Sequence, residues 1–425
     1  MAEIRGFKGL RFNGGDLNTL VCPPYDIISE DERNAFLETN EHNIIRLELP
    51  VGENRYKTAG ETLKKWLSDG VLAKDAKDAI YVYEMEFSVD GKKNSVKGFV
   101  SLVKLEEFSK GIILPHEETL SKAKTDRFNL MSETFCNFSQ IYSLYMDNDG
   151  TYSLIDNCSK GKPDMEVVDA DKTVHRMWCV TDEGVINAVA AAFADKKLYI
   201  ADGHHRYETA LNFHKHLCET GFEGENSSSN LSGYISMMLV NMENSGLVVF
   251  PTHRIVRDLS GFNSAEVIDQ CKKYFDISEE KGIQNVNEKL SEFYKKGEKA
   301  FAFYDGGDGY KLMVLREKTA VKALLPQMSD AYCNLDVSIL HSLVLEKIFG
   351  IDKENMANQT NLTYTRSLDE AVGAVRSGKA NCTFILNPTR VSEIRDVALA
   401  GEKMPQKSTY FYPKLITGLV MNKFD

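Results

Sequence analysis

The residues best equipped for chemistry are concentrated in ADGHHRYETAL (201–211), where Asp202, His204, His205 and Arg206 supply a carboxylate, two imidazoles and a guanidinium. The preceding KKLYI (196–200) ends in apolar, β-branched and aromatic residues, and a helical pattern follows, so the stretch reads as strand, tight turn and helix. Such a turn sets these side chains at a helix N-terminus. There, N–H groups without intrahelical acceptors and the positive end of the helix dipole favour an anion. Gly203 permits close backbone approach to a ligand, and Arg206 adds a planar cation suited to phosphate. The expected chemistry is phosphate binding with acid–base groups already in place.

Four outlying segments carry further candidates. PPYD with Glu30 (23–30) offers Glu30 as a carboxylate base and Asp26 as a pocket-lining group. PHEET (115–119) contributes His116 and Glu117, and the helix after it carries Lys124, Asp126 and Arg127. PTHR (251–254) sets His253 and Arg254 at a strand end, and KSTYFYPK (407–414) brings Lys407 and Ser408 within range of a phosphate. Asp202 with His204 and His205 also suits a transition metal, which keeps a metal-dependent hydrolase open, although neither H-E-x-x-H nor clustered cysteine accompanies it. His214 belongs to the stripe Tyr207, Ala210, Leu211, His214, Leu217, Cys218 and reads as a core histidine; His216 faces solvent.

The elements that must position these groups follow from periodicity and punctuation. Ser29 with Glu32 has capping-box spacing and opens a helix after Pro23-Pro24. NIIRLELP (43–50) reads as a strand ended by Pro50, and 54–69 as a helix burying Tyr56, Ala59, Leu63, Trp66 and Leu67. Hairpins are expected at 79–105 around Asp90-Gly91, at 140–155 around Asp149-Gly150, and at 301–315. A helix at 181–195 leads into KKLYI. Residues 224–233 read as a surface loop or lid, and 234–242 and 246–256 as paired strands. Further helices are expected at 264–275, 285–297, 336–350, 366–377 and 391–400, the last with Asn387 as N-cap and Pro388 at its first position. A strand is expected at 381–386.

At 425 residues the chain exceeds one hydrophobic core and is expected to divide. A formal net charge of -11 and pI of about 5.5 argue against wrapping a nucleic acid. Eight cysteines without a C-x-x-C pair suggest reduced thiols, and the N-terminus lacks an apolar signal region, so a cytoplasmic location is expected. No apolar run reaches the roughly 18 residues of a membrane span.

Taken together, PPYDIIS, ILPHEET, KTDR, IADGHHRYETAL, PTHR and MPQKSTYFYPK resemble a bacterial and archaeal family known as domain of unknown function 1015. Its central turn in turn resembles the ParB/sulfiredoxin superfamily. Within that superfamily, Asp202-Gly203-His204-His205-Arg206 is similar to the turn of the free serine kinases, which phosphorylate the serine hydroxyl with ADP or ATP and magnesium. The resemblance implies a mixed α/β fold: a ParB-like nucleotide-binding core (161–260), an N-terminal α/β region with hairpins (1–160), and a C-terminal α/β region (261–425) closing the site with MPQKSTYFYPK. It also implies a small-molecule kinase acting on free serine or a similar hydroxyl metabolite. In this reading, Gly203, His204, His205, Arg206, Arg127, Lys407 and Ser408 hold the nucleotide, and Asp202 binds magnesium or orients a histidine. Glu30 or Glu117 takes the hydroxyl proton, and Asp26, His116, His253 and Arg254 face the acceptor. The serine kinases carry their catalytic glutamate a few tens of residues before the turn, whereas Glu30 lies some 170 before it here, so either glutamate fits. A nucleotide-binding switch without turnover is the alternative.

Overall fold

The structure is a computed structural model describing residues 2–119, 121–147, 149–222 and 231–424. The fold is mixed α/β and comprises two compact units. Met1–Pro115, Thr119–Val248 and Pro413–Asp425 form the first; His116–Glu118 and Val249–Tyr412 form the second.

The first unit is built on a nine-stranded sheet. In chain order its strands are β1 (Ile4–Arg5), β2 (Ile80–Val89), β3 (Lys92–Lys104), β4 (Ile113–Leu114), β5 (Ile141–Tyr145), β6 (Met165–Val168), β7 (Val174–Val180), β8 (Leu198–Asp202) and β9 (Tyr234–Asn241). The order across the sheet is β4-β8-β5-β9-β3-β2-β7-β6, with β1 on β3. β8 runs parallel to β4 and antiparallel to β5, and β9 runs parallel to β5. Strands from both sides of residue 160 share this sheet, so the expected boundary there does not separate two cores.

The hairpin at Asp90-Gly91 is present, both residues taking the positive φ (51° and 74°) that a type I′ turn demands. Helices of this unit include α1 (Glu30–Thr39), α2 (Ile45–Glu48), α3 (Arg55–Ser68), α4 (Ser121–Thr134), α5 (Glu183–Phe193) and α6 (His204–Glu219). α1 carries the expected capping box between Ser29 and Glu32. The core joins Phe99 and Ile200 of the sheet to Phe193 of α5 and to Tyr207, Ala210, Phe213 and Leu217 of α6. Of the stripe expected on α6, Leu211, His214 and Cys218 are only half-buried, and Phe213 takes the inward place.

The second unit holds a six-stranded antiparallel sheet. Its strands are β10 (His253–Val256), β11 (Phe275–Lys281), β12 (Ala300–Tyr304), β13 (Gly309–Leu315), β14 (Leu362–Thr365) and β15 (Cys382–Leu386), in the order β11-β13-β12-β15-β10-β14. β12 and β13 form the hairpin expected at 301–315.

Four local expectations are corrected. NIIRLELP is no strand: Asn43 Oδ1 accepts the Ile45 N–H at 2.9 Å, which starts the helical turn α2. The segment around Asp149-Gly150 is no hairpin. Asp147 accepts the Thr151 and Tyr152 N–H groups (3.0 and 2.7 Å), capping a helix, Thr151–Asn157, that begins after Gly150. Segments 234–242 and 246–256 do not pair with each other. β9 is buried on both faces and needs the two neighbours β3 and β5, while β10 lies between β15 and β14. Asn387 does not cap the last helix; its side chain donates to Leu290 O at 3.2 Å, and the helix Val391–Leu399 starts from Arg390. Of the loop or lid expected at 224–233, residues 224–230 lie outside the described residues, and Leu231–Gly233 form a 3₁₀ turn.

Candidate functional site

The turn between β8 and α6 is the strand–glycine–helix arrangement expected of an anion cradle. Gly203 is the N-cap of α6 with φ +94°, a conformation natural to glycine, and a Cβ there would lie 2.9 Å from Arg206 Nη2. As glycine it brings no side chain to the helix start, so the first-turn N–H groups are capped by nothing of its own. α6 is 16 residues long, ample to sustain a helix dipole at that end. Core packing of Tyr207 and Phe213 fixes the helix, and the Tyr207 hydroxyl is tied to both backbone groups of Glu106 (2.8 and 2.9 Å).

Charge is closely organised around this turn. Lys414 Nζ donates to Asp202 Oδ1 at 2.8 Å, and Arg206 Nη2 donates to Asp202 Oδ2 at 3.1 Å. Burial alone would raise the Asp202 pKa, but Lys414 and Arg206 outweigh it and hold the carboxyl well below its usual range. Arg206 is buried, and its Nη1 donates to Gln140 O at 2.5 Å. His204 is buried and His205 half-buried at the helix start.

Beside Arg206 stands a group that the sequence reading overlooked. Glu48, at the end of α2, is 2% exposed, and it lines one small cavity with Arg127, Arg206 and Ser139. Burial pushes the Glu48 carboxyl upward against the pull of Arg127 and Arg206, and Ser139 Oγ donates to it at 3.1 Å. Arg127 is held from three sides. It donates to Glu48 O at 2.9 Å, to Asp126 Oδ2 through Nε and Nη2 (2.9 and 2.6 Å), and stacks on the Tyr25 ring at 4.1 Å. Asp126 also accepts from Arg55 and Tyr56 (2.9 and 2.8 Å). Lys124 pairs with Glu208 of α6 at 2.8 Å.

The first unit therefore brings together Asp202, Gly203, His204, Arg206, Arg127 and two residues not nominated from sequence, Glu48 and Lys414. Asp26 and Glu30 belong to the same unit but are exposed, and Glu30 lies 4.0 Å from Arg33. Both Asp202 oxygens accept from cations, and no group of three or more metal-type side chains occurs among the described residues.

The remaining candidates sit in the second unit. His116 is buried, with Nε2 2.9 Å from Thr409 Oγ1, and Glu117 Oε1 accepts the Lys407 N–H at 2.9 Å. Lys407 is exposed in the left-handed region (φ +55°), and buried Ser408 accepts a hydrogen bond from Thr389 through its carbonyl at 2.8 Å. His253 takes the Leu386 N–H on Nδ1 at 3.3 Å, and burial, helped by Arg254, depresses its pKa to about 4.

A family model described as protein of unknown function (DUF1015) matches residues 4–338. The chain belongs to this family. No curated protein matches this DUF1015 chain. Among solved structures it is similar to a conserved hypothetical protein from Pyrococcus furiosus (14% identity, 75% of this chain and 95% of that one, TM-score 0.36). It is also similar to a free serine kinase in complex with AMP (12%, 75% and 92%, 0.38) and to SbnI from Staphylococcus aureus (9%, 76% and 86%, 0.36).

Proposed function

We propose that the first unit binds the phosphates of ATP or ADP at the β8–α6 turn and transfers a phosphoryl group to the hydroxyl of a small metabolite, free serine being the acceptor that the DGHHR motif suggests. The observation that carries this reading is Gly203 at φ +94° on the N-terminus of a 16-residue helix, with Arg206 and Lys414 fixed at its mouth by Asp202. Phosphoryl transfer needs mainly positioning and neutralisation of charge. Backbone N–H groups of the first turn of α6 receive phosphate oxygens, and Arg206 and Lys414 supply positive charge. Asp202 holds those two cations in place and so preorganises the cradle.

The acceptor oxygen attacks the terminal phosphorus, the bond from phosphorus to the leaving nucleotide oxygen breaks, and the hydroxyl proton passes to a carboxylate. Glu48 is the carboxylate in the same cavity as Arg206, and burial raises its basicity. It is preferred here to Glu30, which is exposed, and to Glu117, which belongs to the second unit. With both Asp202 oxygens engaged, no step is assigned to magnesium.

The test is incubation of the full chain with ATP or ADP, magnesium and a panel of hydroxyl metabolites including L-serine, with product read by mass spectrometry. A phosphorylated metabolite that disappears in Arg206→Ala supports the reading. Nucleotide binding without any product in the panel favours a switch, and absence of nucleotide binding refutes both.

A further inference from the structure

The second unit contains a small, partly open cavity that the proposed phosphoryl transfer does not use. Behind it lies Arg254, fully buried on β10. Its guanidinium has no carboxylate within ion-pairing distance among the described residues. Its donors go to Thr252 O, to Gln406 O at 3.5 Å and to His341 Nε2 at 3.3 Å. Burial lowers its pKa to about 10 against the opposite pull of Tyr364 and of Glu117, neither of which makes an ion pair with it. Buried charges are ordinarily paired, because desolvation costs several kcal/mol, so an unpaired interior guanidinium calls for a counter-charge from elsewhere.

Two cavity-lining residues touch Arg254. A guanidinium N–H only donates, so His341 Nε2 accepts, and the imidazole, kept neutral by burial and by Arg254, carries its proton on Nδ1. Tyr364 lies opposite Arg254 across the β10–β14 pair, its ring 5.3 Å from the guanidinium. The Tyr364 hydroxyl is buried with no hydrogen-bond partner. Both residues line the cavity. The wall also includes Met356 and Met404, with Lys353 and Glu346 among its charged members. His341 and Glu346 are the first and last residues of a π-helical turn, His341–Glu346, a distortion that recurs at functional sites.

We propose that this cavity binds a compact organic anion, a carboxylate or a phosphate ester, whose oxygens accept from His341 Nδ1–H and the Tyr364 hydroxyl and whose charge is balanced by Arg254. The methionines give the organic body an apolar surface. The site is independent of the phosphate cradle of the first unit, from which it shares no residue.

Calorimetric titration of the full chain with benzoate and with phenyl phosphate, at matched ionic strength, tests the proposal, with neutral benzamide as control. The expected result is saturable binding of benzoate, phenyl phosphate or both, no binding of benzamide, and about tenfold weaker binding in Tyr364→Phe. That substitution removes only a hydroxyl without a partner, so the fold is retained, and ADP affinity is expected to stay at the wild-type value. Benzoate alone identifies a carboxylate site and phenyl phosphate alone a phosphate-ester site. No saturable binding of either anion, equal binding of benzamide, or wild-type anion affinity in Tyr364→Phe overturns it.

Discussion

Replacing Gly203 by alanine probes both the backbone and the charge arrangement of the cradle. At φ +94° a non-glycine residue costs about 1–2 kcal/mol in backbone strain. The new methyl would stand 2.9 Å from Arg206 Nη2 and 3.1 Å from its Cζ and Nε, so the guanidinium must move. Arg206 cannot move freely, since it is buried and donates to Asp202 and Gln140. Losing one charge-assisted hydrogen bond adds roughly 1.5–3 kcal/mol. Together the expected destabilisation is about 2.5–5 kcal/mol, read from urea unfolding followed by circular dichroism. Displacing the guanidinium from the phosphate contact should weaken ADP by about 10- to 100-fold in calorimetry, at 1.4 kcal/mol per factor of ten. Asparagine tolerates the left-handed region better, so Gly203→Asn should recover part of the stability but not the affinity. Wild-type stability and wild-type ADP affinity in Gly203→Ala would refute the reasoning.

Three further outcomes are expected. Glu48→Gln should lower the phosphoryl-transfer rate by about 10²–10⁴-fold while ADP affinity changes little; unchanged turnover would remove Glu48 as the base. Lys414→Met should weaken ADP binding and let the Asp202 pKa rise towards the usual carboxylate range, followed by NMR titration of the carboxyl; an unmoved titration would contradict the pairing. His253 has an ordinary pKa of 6.5 and a folded value of about 4, so the unfolded chain takes up its proton first and stability falls as pH drops through that window. The window is worth about 3 kcal/mol, and His253→Gln should flatten the acid limb of urea stability between pH 6.5 and 4. Parallel limbs for the two proteins would contradict this.

The cradle itself was legible in the sequence because its signals are local: an apolar strand, an Asp-Gly break and a helical pattern within a dozen residues. Its partners were not. Lys414 reaches Asp202 across 212 residues, a distance over which spacing carries no information. Glu48 was hidden by a misread element, since an apolar run flanked by Pro50 suits a strand equally well, and the side-chain turn from Asn43 Oδ1 to the Ile45 N–H is what leads into the helical turn that ends in a buried carboxylate. The Asp-Gly pair at 149–150 misled for the related reason that turn residues also cap helices. Arg254 was conspicuous in PTHR, yet its want of a carboxylate is a property of the folded interior alone.

The central claim is that nucleotide phosphates rest on the first turn of α6. Hydrogen exchange of the full chain with and without saturating ADP tests it most directly. Slowed exchange at the backbone amides of 203–206, lost in Arg206→Ala, is the predicted result. Bound ADP that leaves those amides unprotected while slowing exchange elsewhere would contradict it.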